Sequence, residues 1–99
     1  MKRKLTNSHD EAIIRRLRKD SAFAAEYLKT TLEDEDDPRV LLIALRHLVQ
    51  AEGIAKVAKV AGVERESLYR ALSLRGNPRL STLIAVTKAI GLRLTVEAA

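Results

Sequence analysis

The stretch GIAKVAKVAGVERESLYRALS, residues 53 to 73, decides how this chain is read. Gly62 stands near its centre, where the chain must leave one helix through a left-handed conformation that a residue without a Cβ adopts cheaply. Small or apolar residues fall where two crossed helices must touch: Val57, Ala58 and Ala61 on the first, Val63, Leu68, Ala71 and Leu72 on the second. The second helix is left with Glu64, Arg65, Glu66, Tyr69, Arg70 and Ser73, which are polar and outward-facing, as a helix lying in a major groove requires. The segment therefore reads as a helix-turn-helix, although an αα-hairpin with a solvated charged face has the same pattern.

Upstream, Ser8-His9-Asp10-Glu11 fits a capping box at the start of a helix over about Asp10 to Arg18 that buries Ile13, Ile14 and Leu17. Asp20 caps a second helix with the apolar set Phe23, Ala24, Tyr27, Leu28, Thr31 and Leu32, and the acidic run 33–37 follows it. Asp37-Pro38 reads as an N-cap with proline at the first helical position, where its missing N–H costs nothing. The next helix, to about Ala51, is the most apolar and the expected centre of the core, with Leu41, Leu42, Ile43, Ala44, Leu45, Leu48 and Val49. Gly53 stops it, and helices at about Ile54 to Ala61 and Arg65 to Leu74 follow.

Arg75-Gly76-Asn77-Pro78 is a loop, and a last helix near Leu80 to Ile90 turns Leu83, Val86, Thr87 and Ile90 inward before Gly91. The tail Leu92-Arg93-Leu94-Thr95-Val96 alternates apolar and polar, a strand pattern of period two. A lone strand cannot satisfy its own backbone, so Leu92, Leu94 and Val96 are expected to pair with the same strand of a second subunit around a two-fold axis. The expected fold is all-α, a bundle of five to six helices ending in a short C-terminal β-strand. Its organisation divides into a basic tail and first helix, residues 1–20, and a helix-turn-helix domain with the dimerising strand, residues 21–99.

Charge agrees with this division of labour. The net charge is +5; residues 1 to 52 carry ten Lys or Arg against ten Asp or Glu, and residues 53 to 99 carry eight against three. The whole positive excess lies in the half that holds the helix-turn-helix, which a polyanion such as double-stranded DNA would meet first. No apolar run approaches the roughly 20 residues that span a bilayer. The N-terminus MKRKLTNSHD has no apolar stretch that would make it a signal peptide. With no cysteine, disulfides and thiolate metal sites are excluded, and a reducing cytoplasm suits the chain.

Arg65 and Arg70 are candidates for base readout, since a guanidinium donates twice to guanine N7 and O6. Their other reading is phosphate contact, or an ion pair between Arg70 and Glu66 four residues before it. Glu66 meets cytosine N4 or holds Arg70, and Tyr69 meets a thymine methyl or a phosphate. Lys56, Lys59, Ser67, Ser73, Arg75, Asn77 and Arg79 surround the reading helix as backbone contacts. His9 and His47 stand far apart, inside a capping turn and on the flank of the core helix. No nucleophilic, metal or cofactor constellation is present, so no catalytic residue and no cofactor is expected.

The stretch from Ala44 to Leu94 resembles the antidote proteins of bacterial addiction modules, HigA-like members of the lambda-repressor-like, Xre-type helix-turn-helix family. Ala44-Leu45, Gly53-Ile54, Ala61-Gly62-Val63, Arg65-Glu66-Ser67-Leu68-Tyr69-Arg70-Ala71-Leu72, Gly76-Asn77-Pro78, Thr82-Leu83 and Gly91-Leu92 carry the resemblance, which covers about residues 21 to 96. It implies an antitoxin that neutralises a RelE/HigB-like toxin and, as a homodimer, represses its own operon by binding operator DNA. Glu64 departs from the Ser or Thr usual at the start of the reading helix, and Arg79 from the small residue expected before the last helix. For toxin binding, residues 8 to 32 are the expected surface; the acidic run 33–37 could also cover a basic groove, but its stronger reading is negative charge before a helix N-terminus, which the dipole favours. A stand-alone phage-type transcriptional regulator and an interaction bundle that does not read DNA are the other readings of the same residues.

Overall fold

A computed structural model describes residues 8–33 and 37–99. It holds α1 (Ser8–Lys19), α2 (Ser21–Glu33), α3 (Arg39–Glu52), α4 (Ile54–Ala61), α5 (Arg65–Ala71) and α6 (Leu80–Ala89). The basic tail, residues 1–7, and residues 34–36 of the acidic run lie outside the described residues, as does the Ser8 side chain of the expected capping box.

The local signals set most boundaries. An Asp20 carboxylate oxygen accepts the Phe23 N–H at 2.9 Å, which starts α2 one residue after α1 ends. Asp37 caps α3 in the same manner, accepting the Arg39 N–H at 3.0 Å while Pro38 already has helical φ and ψ of −62° and −15°. The Arg39 side chain and N–H together hold the Asp37 carboxyl below its ordinary range. Gly62, at φ 73°, closes α4 in a Schellman arrangement: its N–H bonds Lys59 O and the Val63 N–H bonds Ala58 O.

Around α3 the core collects Leu17 of α1, Ala24 and Leu28 of α2, Leu42, Ala44, Leu45, Leu48, Val49 and Ala51 of α3 itself, Val57 and Ala58, Leu68 and Leu72, and Val86. Helix α1 packs on both α2 and α3, and α4 packs on α3, α5 and α6. The Arg18 guanidinium donates from Nε to the Ala51 carbonyl at 3.0 Å, so the end of α1 caps the end of α3.

The structure differs from the sequence reading at four places. Leu32 and Ile43 are exposed although they share the apolar character of their helices: Leu32 follows buried Ala24 and Leu28 on one face but sits at the end of α2 on an open groove, and Ile43 lies off the side of α3 that meets a neighbour. His47 is buried and bonded, since at three residues from both Ala44 and Gln50 it falls on the face of α3 that receives α1 and α2. Helix α5 stops at Ala71 instead of Leu74. There the Ser73 hydroxyl turns back to donate to Arg70 O at 2.8 Å, and Gly76 packs onto the Ala71 carbonyl where another helical turn would have run. Finally, the C-terminal β-strand expected over Leu92 to Val96 is not formed. A strand needs a hydrogen-bonded neighbour, and the described residues of one chain offer none.

Candidate nucleic-acid interface

Helices α4 and α5 are joined through Gly62-Val63-Glu64 and held by burial on their facing sides. Val57, Ala58, Leu68 and Leu72 are buried, while Ala61, Val63 and Ala71 are half-buried, so all seven contact positions expected from the sequence lie inward. That leaves Glu64, Arg65, Glu66, Tyr69 and Arg70 exposed on one side of α5, with Ser67 and Ser73 half-buried at its margins. Lys56, Lys59, Arg75, Asn77 and Arg79 are exposed as well.

Their polar partners differentiate them. The Arg70 guanidinium lies 3.4 Å from Ser67 Oγ, and among the described residues no ion pair joins it to Glu66. Ser67 Oγ is thus the near polar neighbour of Arg70, while Glu66, expected to meet cytosine N4 or to hold Arg70, is exposed beside it. Lys56 is committed to Glu52 at 2.6 Å, a pair four residues apart that bridges the Gly53 break between α3 and α4 and partly offsets its charge. Lys59, Arg65, Arg75 and Arg79 are in no ion pair among the described residues, so their charge faces solvent uncompensated. The Ser73 hydroxyl is spent on the end of α5.

Both departures noted at helix starts have a structural counterpart. Glu64 precedes α5 and Arg79 precedes α6 in extended conformation, and neither side chain makes a capping hydrogen bond. Their backbone carbonyls do join the helices, accepting from Leu68 at 2.9 Å and Leu83 at 3.0 Å.

A second polar cluster, which sequence reasoning missed, lies among the N-terminal helices. The Tyr27 hydroxyl is 2.6 Å from His47 Nδ1, and His47 Nε2 is 3.7 Å from an Asp10 carboxylate oxygen. The neutral tautomer that serves both neighbours carries its proton on Nε2, accepting from Tyr27 and facing Asp10. Burial lowers the His47 pKa, Asp10 raises it, and Arg46 and His9 lower it further, the net direction being downward. Burial and the Asp10 charge raise that of Tyr27. The signal available in the sequence was a histidine in line with Ala44, Leu48 and Ala51 on an apolar face, together with a tyrosine in the apolar set of α2. The cluster joins α1, α2 and α3. Among the described residues no three His, Asp or Glu side chains converge as metal ligands, and no helix is long and apolar enough to cross a membrane.

Comparison with known proteins supplies the family. Residues 8–98 match the model of the family described as "Probable addiction module antidote protein". An uncharacterised protein of Haemophilus influenzae is 39% identical over 71 residues, 72% of this chain and 72% of that protein. No solved structure matches. With the six helices of the described residues packed as above and the family match running over all of them, the chain belongs to the probable addiction module antidote proteins.

Proposed function

We propose that this chain is the antitoxin of a type II toxin-antitoxin module, of the lambda-repressor-like helix-turn-helix class, and that it represses its own operon by reading operator DNA with α5. The observation that carries the DNA reading is the exposed side of α5, with Arg65, Glu66, Tyr69 and Arg70, ringed by the uncompensated cations Lys59, Arg75 and Arg79. In this reading Arg70 and Arg65 address base edges, and Lys59, Arg75, Asn77 and Arg79 address phosphates. Lys56, paired with Glu52, contributes least of these cations.

The antidote family supports a toxin as partner. We assign it the RelE/HigB-like type and assign its contact to α1 and α2, which a minimal DNA reader does not need. A homodimer presents two copies of α5 to successive major grooves.

Mobility shifts with the protein's own upstream DNA test the first assignment. Arg70→Ala is expected to cost about 1–3 kcal/mol at the cognate operator and to relax preference at one base pair. Arg75→Ala should weaken all DNA alike and reduce the salt slope by about one unit. Equal, sequence-independent losses for both would refute the assignment of roles. Co-expression with the neighbouring open reading frame tests the second, with co-purification of a basic toxin as the expected result and a chain that elutes alone as the contrary one.

A further inference from the structure

Past Gly91, the Leu92 N–H still bonds Thr87 O at 3.0 Å, and then backbone pairing ends: among the described residues nothing bonds the main chain of residues 93–97. This stretch nevertheless carries apolar side chains at alternate positions in the open, Leu94 at 41% and Val96 at 98% exposure. Together with α2 it walls a groove of about 810 Å³, in which Leu28 and Leu32 face the segment containing Leu92 and Leu94. Backbone without pairing among the described residues, beside a groove whose apolar part is formed by Ala25, Leu28, Leu32, Leu92 and Leu94, is a template for another strand.

The residues of the tail specify which strand. We propose that the occupant is the same tail of a second copy, paired antiparallel about a two-fold axis through Thr95, so that two chains share a β-ribbon lying over the α2 grooves. This deepens the homodimer of the proposed repressor and rests on that reading, but uses none of its DNA-contacting residues.

The register follows from testing the alternatives. Residues directly opposite in an antiparallel pair point to the same face, so a two-fold axis between residues would set Leu94 against Thr95 and mix apolar with polar on both faces. An axis through Arg93 would stack two guanidinium groups against each other. With the axis through Leu94, both faces match in polarity, yet Arg93 meets only Thr95 and Glu97 only Gly91. With the axis through Thr95, Leu94 meets Val96 and Leu92 meets Ala98 on one face, while Arg93 meets Glu97 on the other. Each cross-strand pair then occurs twice by symmetry, and every one is apolar with apolar or cation with anion except the Thr95 pair on the axis.

The chain contains no cysteine, so single-cysteine variants of the full protein report only their own position. Thr95→Cys puts two sulfurs on directly opposite residues, whose Cα atoms lie about 4.5–5.5 Å apart, within disulfide reach. Leu94→Cys staggers them by two residues, to about 8 Å, outside it. Mild oxidation of dilute protein without DNA is expected to cross-link Thr95→Cys and leave Leu94→Cys monomeric on a non-reducing gel. Equal cross-linking, or the reverse order, overturns the register.

Sedimentation supplies the second measurement. Arg93→Glu and Glu97→Arg should each weaken the dimer about tenfold, since two opposite-charge pairs become like-charge pairs, and the two together should restore it. A full chain that sediments as a monomer, or single variants with unchanged affinity, overturns the proposal. Failure here with Arg70-dependent binding to a single half-site intact removes the ribbon alone. Cross-linking with no DNA binding removes the DNA reading alone.

Discussion

Replacing Gly76 with alanine isolates the contact that ends α5. A Cβ built at Gly76 would lie 2.0 Å from the Ala71 carbonyl oxygen and 2.7 Å from that of Arg70. The shorter distance falls roughly 1.3 Å below the ~3.3 Å at which carbon and a carbonyl oxygen come to rest. Neither side yields easily: Ala71 closes α5, and the Gly76 N–H is tied to Ser73 O at 2.8 Å just before Asn77-Pro78 leads into α6. Overpacking of this sort costs about 1–3 kcal/mol. For a domain of this size, a loss near 2 kcal/mol lowers Tm by roughly 8–16 °C and the urea midpoint by about 1 M.

Gly62 provides the contrast. A Cβ there would meet nothing within 4 Å, and only the φ of 73° resists a side chain. Asparagine, which tolerates that conformation, should therefore recover most of the loss caused by Gly62→Ala. At Gly76 it should recover none, because any Cβ meets the same oxygen. Thermal and urea unfolding of the four variants decide the matter. A Gly76→Ala protein within about 0.5 kcal/mol of the parent, or rescue by Gly76→Asn, would refute the steric argument.

Glu64→Ser should add the missing hydroxyl cap to α5 and raise stability by about 0.5–1 kcal/mol in urea titration, while removing a negative charge near phosphate and tightening operator binding. Tyr27→Phe leaves the buried His47 Nδ1 without a donor and should cost about 1–3 kcal/mol in the same assay. Because burial lowers the His47 pKa below its ordinary 6.5, the unfolded chain takes a proton that the folded one resists. Stability should accordingly fall as pH drops from 6.5 through the folded value, and His47→Gln should flatten that part of the profile. Arg18→Met keeps the aliphatic stem but removes the donor to Ala51 O, so a lower Tm is expected with circular dichroism of the folded state unchanged.

All six helices are legible in the order of residues, because caps and stops act within a turn of the chain. Asp20, Asp37-Pro38, Gly53, Gly62 and Gly91 each set a boundary by bonding or freeing backbone a few positions away. The inward side of the α4–α5 pair was equally plain, since Val57, Ala58, Leu68 and Leu72 recur at helical spacing. Periodicity indicates which residues prefer burial, and the neighbour determines which obtain it. Leu32 and Ile43 had the preference without the neighbour.

Long-range contacts were beyond the reach of local signals. The Tyr27 to His47 bond spans 20 positions and the Arg18 to Ala51 bond 33. Neither distance carries any periodic mark in sequence, so only the packing of α1 and α2 on α3 revealed them. The early end of α5 belongs to the same class, because Gly76 acts on Ala71 through space and not through propensity. By itself the sequence determined six helical segments, the polar side of α5 and the surplus of positive charge around it, all of which follow from local bonding and composition. Tertiary structure alone decided that Tyr27 meets His47, that Arg18 reaches the Ala51 carbonyl and that the 93–97 backbone finds no backbone partner among the described residues, because each depends on where a distant group comes to rest.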